Sequence, residues 1–255
     1  FFKGEVNGNL FRQEWSVQRL VLAPRSDRPL VGARPVRFRL ADGGIRDLDL
    51  ALLGAAGAIQ VQGDWLEIHS GQTQMSLEIQ NLDIPYVLDV IGLYDPSLVS
   101  FVDVEQVQGR LSMRGEIEDR GEPGVVIEGG AEIEGLTWED LVDVDRVVVD
   151  ATGWLDKPDV VVEVHDEQSL LLRIDGSIPL DSGVASLGLA CGGELDLRGV
   201  LTLSDHSRLT QAVPFLDIPD GRIGGTFGLS GDPCDPLMEL TSAGQVLVGA
   251  EQGLM

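Results

Sequence analysis

The stretch Gln108–Asp119, QGRLSMRGEIED, alternates between two kinds of residue and decides the fold class. Leu111, Met113 and Ile117 fall on one side of an extended chain, whereas Arg114 and the charged residues around it fall on the other. Because successive side chains of a β-strand point to opposite faces, this period of two predicts a strand with one apolar and one polar face. The fold then depends on what covers the apolar side.

The same alternation recurs along the chain and predicts many more strands. Further apolar residues at every second position are Val36, Phe38 and Leu40; Leu48, Leu50 and Leu52; Met75, Leu77 and Ile79; Leu195, Leu197, Leu201 and Leu203; and Phe227 and Leu229. The parity changes between Ile59 and Leu66, which predicts a bulge or a tight turn at Gly63–Asp64. The 32 glycines and 12 prolines between these runs are typical of turns in an antiparallel meander.

Helical signal is scarce. Asp83–Ile91 has a capping Asp and an early Pro, and predicts two helical turns before Gly92. Ser204–Val213 predicts another short helix, ended by Pro214. Neither helix is long enough to cover a sheet of many strands. The apolar face must therefore pack against another sheet, close on itself as a barrel, or remain a trough that something apolar fills.

Charge and composition exclude some classes of partner. The chain of 255 residues is 43% hydrophobic, and its 42 acidic against 18 basic residues give a net charge of −24. This charge repels phosphate backbones, so nucleic acid is not an expected partner. No run of about 18 apolar residues exists, so no transmembrane helix is expected. The first residues have neither an initiator Met nor a signal-peptide pattern, which predicts a segment of a longer protein.

The search for catalytic or metal-binding patterns predicts no enzyme, no cofactor and no metal. His69, His165 and His206 are scattered, and none has zinc-type spacing to another histidine or to a cysteine. The stretch Gly183–Gly188 is one residue too long for a nucleophile elbow. Cys191 and Cys234 are compatible with one disulfide in an oxidising compartment or with two independent thiols, and their spacing does not choose between these.

A weak repeat favours an extended sheet. In Gly153–Pro158 and again in Gly231–Pro236, a strand ends in Gly, Pro follows five positions later, and a new apolar strand starts. Gly115–Pro123 is a longer version of this unit. Each unit predicts a hairpin, and added hairpins lengthen a sheet in one direction. The alternative is that any β protein rich in Gly and Pro contains a few such matches.

Several longer segments resemble the AsmA-like and TamB superfamily of bacterial envelope proteins. The segments are Gly8–Leu22, Leu170–Asp181 (LLLRIDGSIPLD), Leu201–Leu216 and Gly221–Leu240 (GRIGGTFGLSGDPCDPLMEL). The second is similar to the family's G-x-[IL]-P strand unit, and the last to its S-G-x4-P-x-[LM] pattern. In style, the resemblance extends over most of the chain.

The resemblance implies an all-β, elongated and twisted antiparallel sheet, rolled into an open trough, over residues 1–255 as a single segment. A subdivision near residues 100–105 is the alternative. It also implies a non-enzymatic, periplasmic part of an inner-membrane-anchored protein. Phospholipid acyl chains would pass along the trough between the two membranes. TamB is further linked to outer-membrane protein assembly, which implies an outer-membrane β-barrel partner that contacts other parts of the parent chain.

The implied trough lining consists of alternating apolar residues from the predicted strands: Ile59, Val61, Met75, Leu77, Ile79, Leu111, Met113, Ile117, Leu195, Leu197, Leu201, Leu203, Phe227 and Leu229. Two other classes of function compete with the trough. One is a structural or adhesive module, a β-sandwich or β-solenoid whose apolar faces cover each other. The other is a hydrolase on an all-β scaffold, which ranks last because no catalytic pattern supports it.

Overall fold

The structure is a computed structural model that describes most of the chain. The described residues are 2–9, 13–24, 27–41, 44–65, 73–94, 99, 103–120, 124–139, 142–166, 169–183, 186–203 and 221–246. Within these ranges the protein is almost entirely β-strand, with one α-helix and one short 3-10 turn, Val104–Gln106. The predicted all-β class is confirmed.

The strands are β1 Phe2–Asn9, β2 Glu14–Leu22, β3 Leu30–Gly32, β4 Val36–Ala41, β5 Gly44–Gly54, β6 Gly57–Trp65, β7 Gln74–Asp83, β8 Val107–Asp119, β9 Val125–Trp138, β10 Val142–Trp154, β11 Lys157–Asp166, β12 Ser169–Ser177, β13 Leu180–Gly183, β14 Ser186–Leu189, β15 Leu195–Leu203, β16 Gly221–Asp232 and β17 Asp235–Val246. The helix α1 is Ile84–Tyr94.

Fifteen of these strands form one antiparallel sheet, in which almost every strand pairs with the strands next to it in sequence. The short strands β3 and β4 share one position between β2 and β5. The hairpin β13–β14 stands outside the main sheet, so β12 pairs directly with β15. The sheet therefore grows by adding hairpins in one direction, as an antiparallel meander does.

Helix α1 follows β7 and covers one region of the sheet. The sequence predicts this helix over Asp83–Ile91, and the structure extends it to Tyr94. Tyr86 is 2% exposed, and its hydroxyl donates a hydrogen bond of 2.7 Å to the carbonyl of Leu22 in β2. The helix-capped core comprises Leu20, Leu30, Val36, Leu52, Ala56, Leu82 and Tyr86. The second predicted helix, Ser204–Val213, lies outside the described residues.

The strand register places the alternating apolar residues on one side of the sheet, here called the apolar face. One row of paired residues crosses ten strands: Ile59, Ile79, Met113, Ala131, Val149, Val162, Ile174, Gly199, Phe227 and Leu240. A neighbouring row contains Val61, Leu77, Gly115, Gly129, Ala151, Val160, Gly176, Leu197, Leu229 and Met238. The period-two pattern of the sequence therefore becomes a continuous surface only through the pairing.

The opposite side, the polar face, carries charged residues that pair across the strands. Arg146 of β10 contacts Glu132 of β9, and Arg173 of β12 contacts Glu163 of β11. Exposed ion pairs of this kind contribute little stability, typically about 0–1 kcal/mol each. Their consequence is that this face stays hydrated, so any ligand or further layer of apolar character belongs on the other face.

Two of the three predicted hairpin units form as expected, and with the same register. Gly153 pairs with Pro158 and Gly231 pairs with Pro236, each around a two-residue turn. Both glycines have positive φ, 111° and 92°, a conformation that L side chains rarely adopt. The third unit also forms a hairpin, between β8 and β9, but Gly115 lies inside β8 and pairs with Gly129 rather than beginning the turn. Repeat matching missed this because Gly serves both turns and flat strand positions.

The predicted irregularity at Gly63–Asp64 lies largely in the facing strand. Strand β6 continues through Gly63, which has φ of 125°, to Trp65. The register with β5 shifts between Ile45 and Leu48, so the extra residue belongs to β5. Leu66 lies outside the described residues.

Cys191 and Cys234 form a disulfide, with their Cα atoms 5.4 Å apart. It joins the turn before β15 to the turn between β16 and β17. The cysteine spacing was compatible with one disulfide or with two independent thiols, and the structure contains the disulfide. The bond ties the last hairpin of the sheet to the strand beside it.

Candidate functional site

A cavity of about 480 Å³ lies on the apolar face, where strands β5 to β10 run side by side. Its wall consists mainly of large apolar side chains: Ile45, Leu48, Val61, Trp65, Met75, Leu77, Met113, Ile117, Ile127, Val149 and Leu155. The volume falls within the ~300–1,000 Å³ typical of ligand pockets. Six strands spaced about 4.8 Å apart span roughly 24 Å, which exceeds the ~15 Å depth of the hydrocarbon in one membrane leaflet.

The floor of the cavity is made of small residues. Gly115 and Gly129 pair across β8 and β9, and Ala131 and Ala151 complete a block of four. Larger side chains flank the block, among them Met113 in the next row. Because these four positions have little or no side chain, the sheet has a depression there instead of a packed layer.

The cavity brings together five of the predicted lining residues: Val61, Met75, Leu77, Met113 and Ile117. Ile59 and Ile79 instead pack against the helix-capped core. Leu111 is half-buried on the same face, between Leu82 and Ile133 in the register.

The remaining predicted residues lie farther along the sheet, outside this cavity. Leu195 is buried, 7% exposed, and Leu197, Leu201, Phe227 and Leu229 are half-buried on the apolar face. Phe227 lies over Gly199, where an added Cβ would be 2.1 Å from the ring. Leu203 pairs with Ile223, and its side chain is outside the described set.

Sequence reasoning missed half of the cavity, above all the contribution of β9 and β10. Ile127, Ala131, Val149 and Ala151 also follow a period of two, so the signal was present. It is weak because Gly and Ala occupy several of the alternate positions, and these residues do not stand out as apolar. Trp65 and Ile45 are joined to the site by the pairing of β5 and β6.

The apolar face changes character on both sides of the cavity. Toward α1 it is covered by the helix-capped core, in which residues such as Leu30 and Tyr86 are almost fully buried. At the other end of the strands two polar residues are buried, Thr73 and Asp119, and the Asp119 amide donates to the Thr73 carbonyl at 2.8 Å. The accessible apolar surface is therefore the middle of the sheet.

Burial distinguishes the middle of the sheet from the helix-capped core. Val149, Val162 and Ile174 lie in the central row of the apolar face, yet each is only half-buried. In a sandwich of two sheets packed about 10 Å apart, central residues of this kind are the most buried. Nothing among the described residues stacks on them to that degree.

The polar residues that line the cavity are Ser76, Glu116 and Glu128, and its described lining includes neither a histidine nor a cysteine. His165, the one histidine among the described residues, lies on the polar face with Nε2 3.3 Å from Glu163 Oε2. Glu163 also contacts Arg173, which gives a small surface network away from the cavity. His69 and His206 lie outside the described residues. In the described part of the chain, no helix combines the length and the apolar character needed to cross a bilayer.

No protein-family profile, curated protein or solved structure matches this chain.

Proposed function

We propose that this chain is a non-enzymatic, trough-shaped β-sheet that binds hydrocarbon, with phospholipid acyl chains as its ligand. The observation that carries the proposal is the 480 Å³ cavity, whose wall is apolar and whose floor is glycine and alanine. An apolar wall without polar anchors favours a ligand that is recognised by shape and hydrophobicity alone. Acyl chains have that chemistry.

The energetics fit a site that holds and releases its ligand. Burying one methylene contributes about 0.8 kcal/mol, so ten methylenes contribute roughly 8 kcal/mol. Association costs an estimated 4–15 kcal/mol in lost translational and rotational freedom. The net affinity is therefore modest, and a chain can move along the apolar face without one deep minimum.

The resemblance to the AsmA-like and TamB superfamily supports a place in the bacterial envelope. A disulfide is expected in an oxidising compartment such as the periplasm, and Cys191–Cys234 agrees with that setting. The net charge of −24 and the polar face suit a protein that carries apolar cargo through water. We extend the proposal to transfer between the inner and outer membranes, with any outer-membrane β-barrel partner binding other parts of the parent protein.

A structural or adhesive module is the second candidate, and the helix-capped core favours it. There the apolar face is covered by the chain itself, through Tyr86 and its neighbours. If the chain itself also covered the apolar face over β8 to β12, the cavity would have no room for a ligand.

The test is a chain-length series of lysophosphatidylcholines that displace a neutral fluorescent probe, N-phenyl-1-naphthylamine, below their micelle concentrations. We expect the affinity to rise about fourfold per added methylene, the equivalent of ~0.8 kcal/mol. An affinity that does not depend on chain length would contradict hydrocarbon binding. The structural or adhesive module would then be the remaining candidate function.

Two variants locate the site. Met113→Glu places a carboxylate in the cavity wall and should abolish displacement, because a charge is not buried against apolar surface without a partner. Thr226→Glu adds the same charge to the exposed polar face, opposite Val200 and Thr241, and should bind like the parent protein. Equal loss in both variants would mean that charge, not the cavity, governs binding.

A further inference from the structure

The disulfide at the far end of the sheet has a third chemical group beside it. The two Sγ atoms of Cys191 and Cys234 and a carboxylate oxygen of Asp232 all lie within 4.8 Å of one another. Cys191 lies in the turn before β15, Asp232 is the last residue of β16, and Cys234 lies in the β16–β17 turn. None of them contacts the apolar cavity, so the cluster is independent of hydrocarbon binding.

We propose that reduction of Cys191–Cys234 converts this cluster into a binding site for one soft divalent cation of the zinc class. The ligands are the two thiolates and the Asp232 carboxylate, and water takes the fourth position. Thiolate sulfur and carboxylate oxygen are ligands that zinc accepts in tetrahedral sites. Sequence spacing missed this set because it contains no histidine and its cysteines are 43 residues apart.

Asp232 is held in place by bonds that do not depend on the disulfide. Its Oδ1 accepts a hydrogen bond of 2.9 Å from the Cys234 amide, and its carboxylate also accepts from the Gly192 amide. These bonds fix the Asp232 carboxylate at the end of β16. They also connect the two turns to each other.

The strands should keep the two cysteines adjacent after reduction. The ladder of β15 and β16 continues to Leu195 and Gly231, and that of β16 and β17 to Asp232 and Asp235. At a tetrahedral zinc with Zn–S of about 2.3 Å, two sulfurs lie roughly 3.8 Å apart. Cα atoms 5.4 Å apart allow that separation by side-chain rotation.

The site is accessible to reductant and to metal. Both cysteines are exposed. A phosphine reductant gives two electrons to the disulfide and becomes phosphine oxide, with oxygen from water, and each sulfur gains one proton. Binding of the divalent cation then releases the two thiol protons.

The experiment uses the full chain, reduced by a phosphine that is then removed without air, and titrates it with Co²⁺ and with Zn²⁺. We expect one cation per reduced chain, a thiolate-to-cobalt charge-transfer band in the near ultraviolet, and no uptake by the oxidised chain. Asp232→Asn keeps the hydrogen-bond acceptor but removes the charge, and should weaken binding by about tenfold or more. Asp235→Asn, an acid of the same hairpin outside the cluster, should bind like the parent.

Three results would overturn the proposal. One is a reduced chain that takes up no cation, and another is equal uptake before and after reduction. The third is Asp232→Asn binding as tightly as Asp235→Asn. Far-ultraviolet circular dichroism accompanies each titration, and loss of strand signal on reduction also counts against the site, since its ligands depend on the paired strands.

Discussion

A side chain added to the floor of the cavity should weaken ligand binding without lowering the stability of the fold. Gly115 has an ordinary strand conformation, and a Cβ added there would lie 3.8 Å from Met113 Cε and 4.0 Å from the Glu128 carbonyl oxygen. Gly115→Val therefore adds an isopropyl group to the cavity, and its Cβ makes only ordinary van der Waals contacts. Because Gly in a strand costs roughly 0.5–1 kcal/mol relative to Ala, the variant should be at least as stable as the parent.

The expected loss of affinity follows from the cavity volume that the new isopropyl group occupies. The isopropyl group occupies the room of two to three methylenes, so a bound acyl chain loses about 2 kcal/mol of burial. This corresponds to ~30-fold weaker binding, since 1.4 kcal/mol is a factor of ten. The assay is displacement of N-phenyl-1-naphthylamine by lysophosphatidylcholine, with thermal unfolding of the same samples.

Gly228→Val is the matched control. Gly228 lies inside β16 on the polar face, pairs with Arg198, and has only the Leu197 carbonyl oxygen near an added Cβ, at 3.9 Å. It should bind lipid like the parent. The reasoning is refuted if Gly115→Val binds lipid unchanged while remaining folded, or if both variants lose affinity equally.

Four further outcomes test the rest of the structure. Gly129→Val should unfold at lower temperature than Gly115→Val, because its Cβ would meet the Arg114 carbonyl oxygen at 2.9 Å; equal melting temperatures would contradict the register. Reducing Cys191–Cys234 should lower the free energy of unfolding by about 4 kcal/mol, from the loop entropy of a 43-residue separation, and an unchanged urea midpoint would contradict this. Tyr86→Phe should cost ~1 kcal/mol, because the Leu22 carbonyl loses its donor. Burial raises the pKa of Tyr86 above 10.0, so the folded protein keeps this proton to higher pH than the unfolded chain does. Stability should therefore fall as pH rises above about 10, by up to ~1.4 kcal/mol per pH unit, and a parent and Tyr86→Phe with equal pH slopes would contradict the burial.

The two parts of the apolar face differ in what covers them. Ile59 and Ile79 were expected to line a trough, and they pack against the helix-capped core instead. Met113 shares a row with Ile79, yet it faces the cavity. Tyr86 joins α1 to β2, and α1 also packs against β7 and β8, where Ile84 lies beside Gly109. Ile79 therefore packs against the helix-capped core, whereas Met113, four residues beyond Gly109, lines the cavity.

The sequence by itself determined the period of two, and with it the all-β class and the face on which each alternating residue lies. Local chemistry also sufficed for α1 and for the hairpins at Gly153 and Gly231, because an early Pro and a positive-φ Gly act within a few residues. Only the tertiary structure decided which strands are neighbours, and therefore that Gly115, Gly129 and Ala151 form one floor. It likewise paired Cys191 with Cys234 and placed Asp232 beside them. Contacts of this kind join residues that are far apart in the chain. No local sequence pattern predicts them, because strand pairing depends on the summed interactions of whole strands.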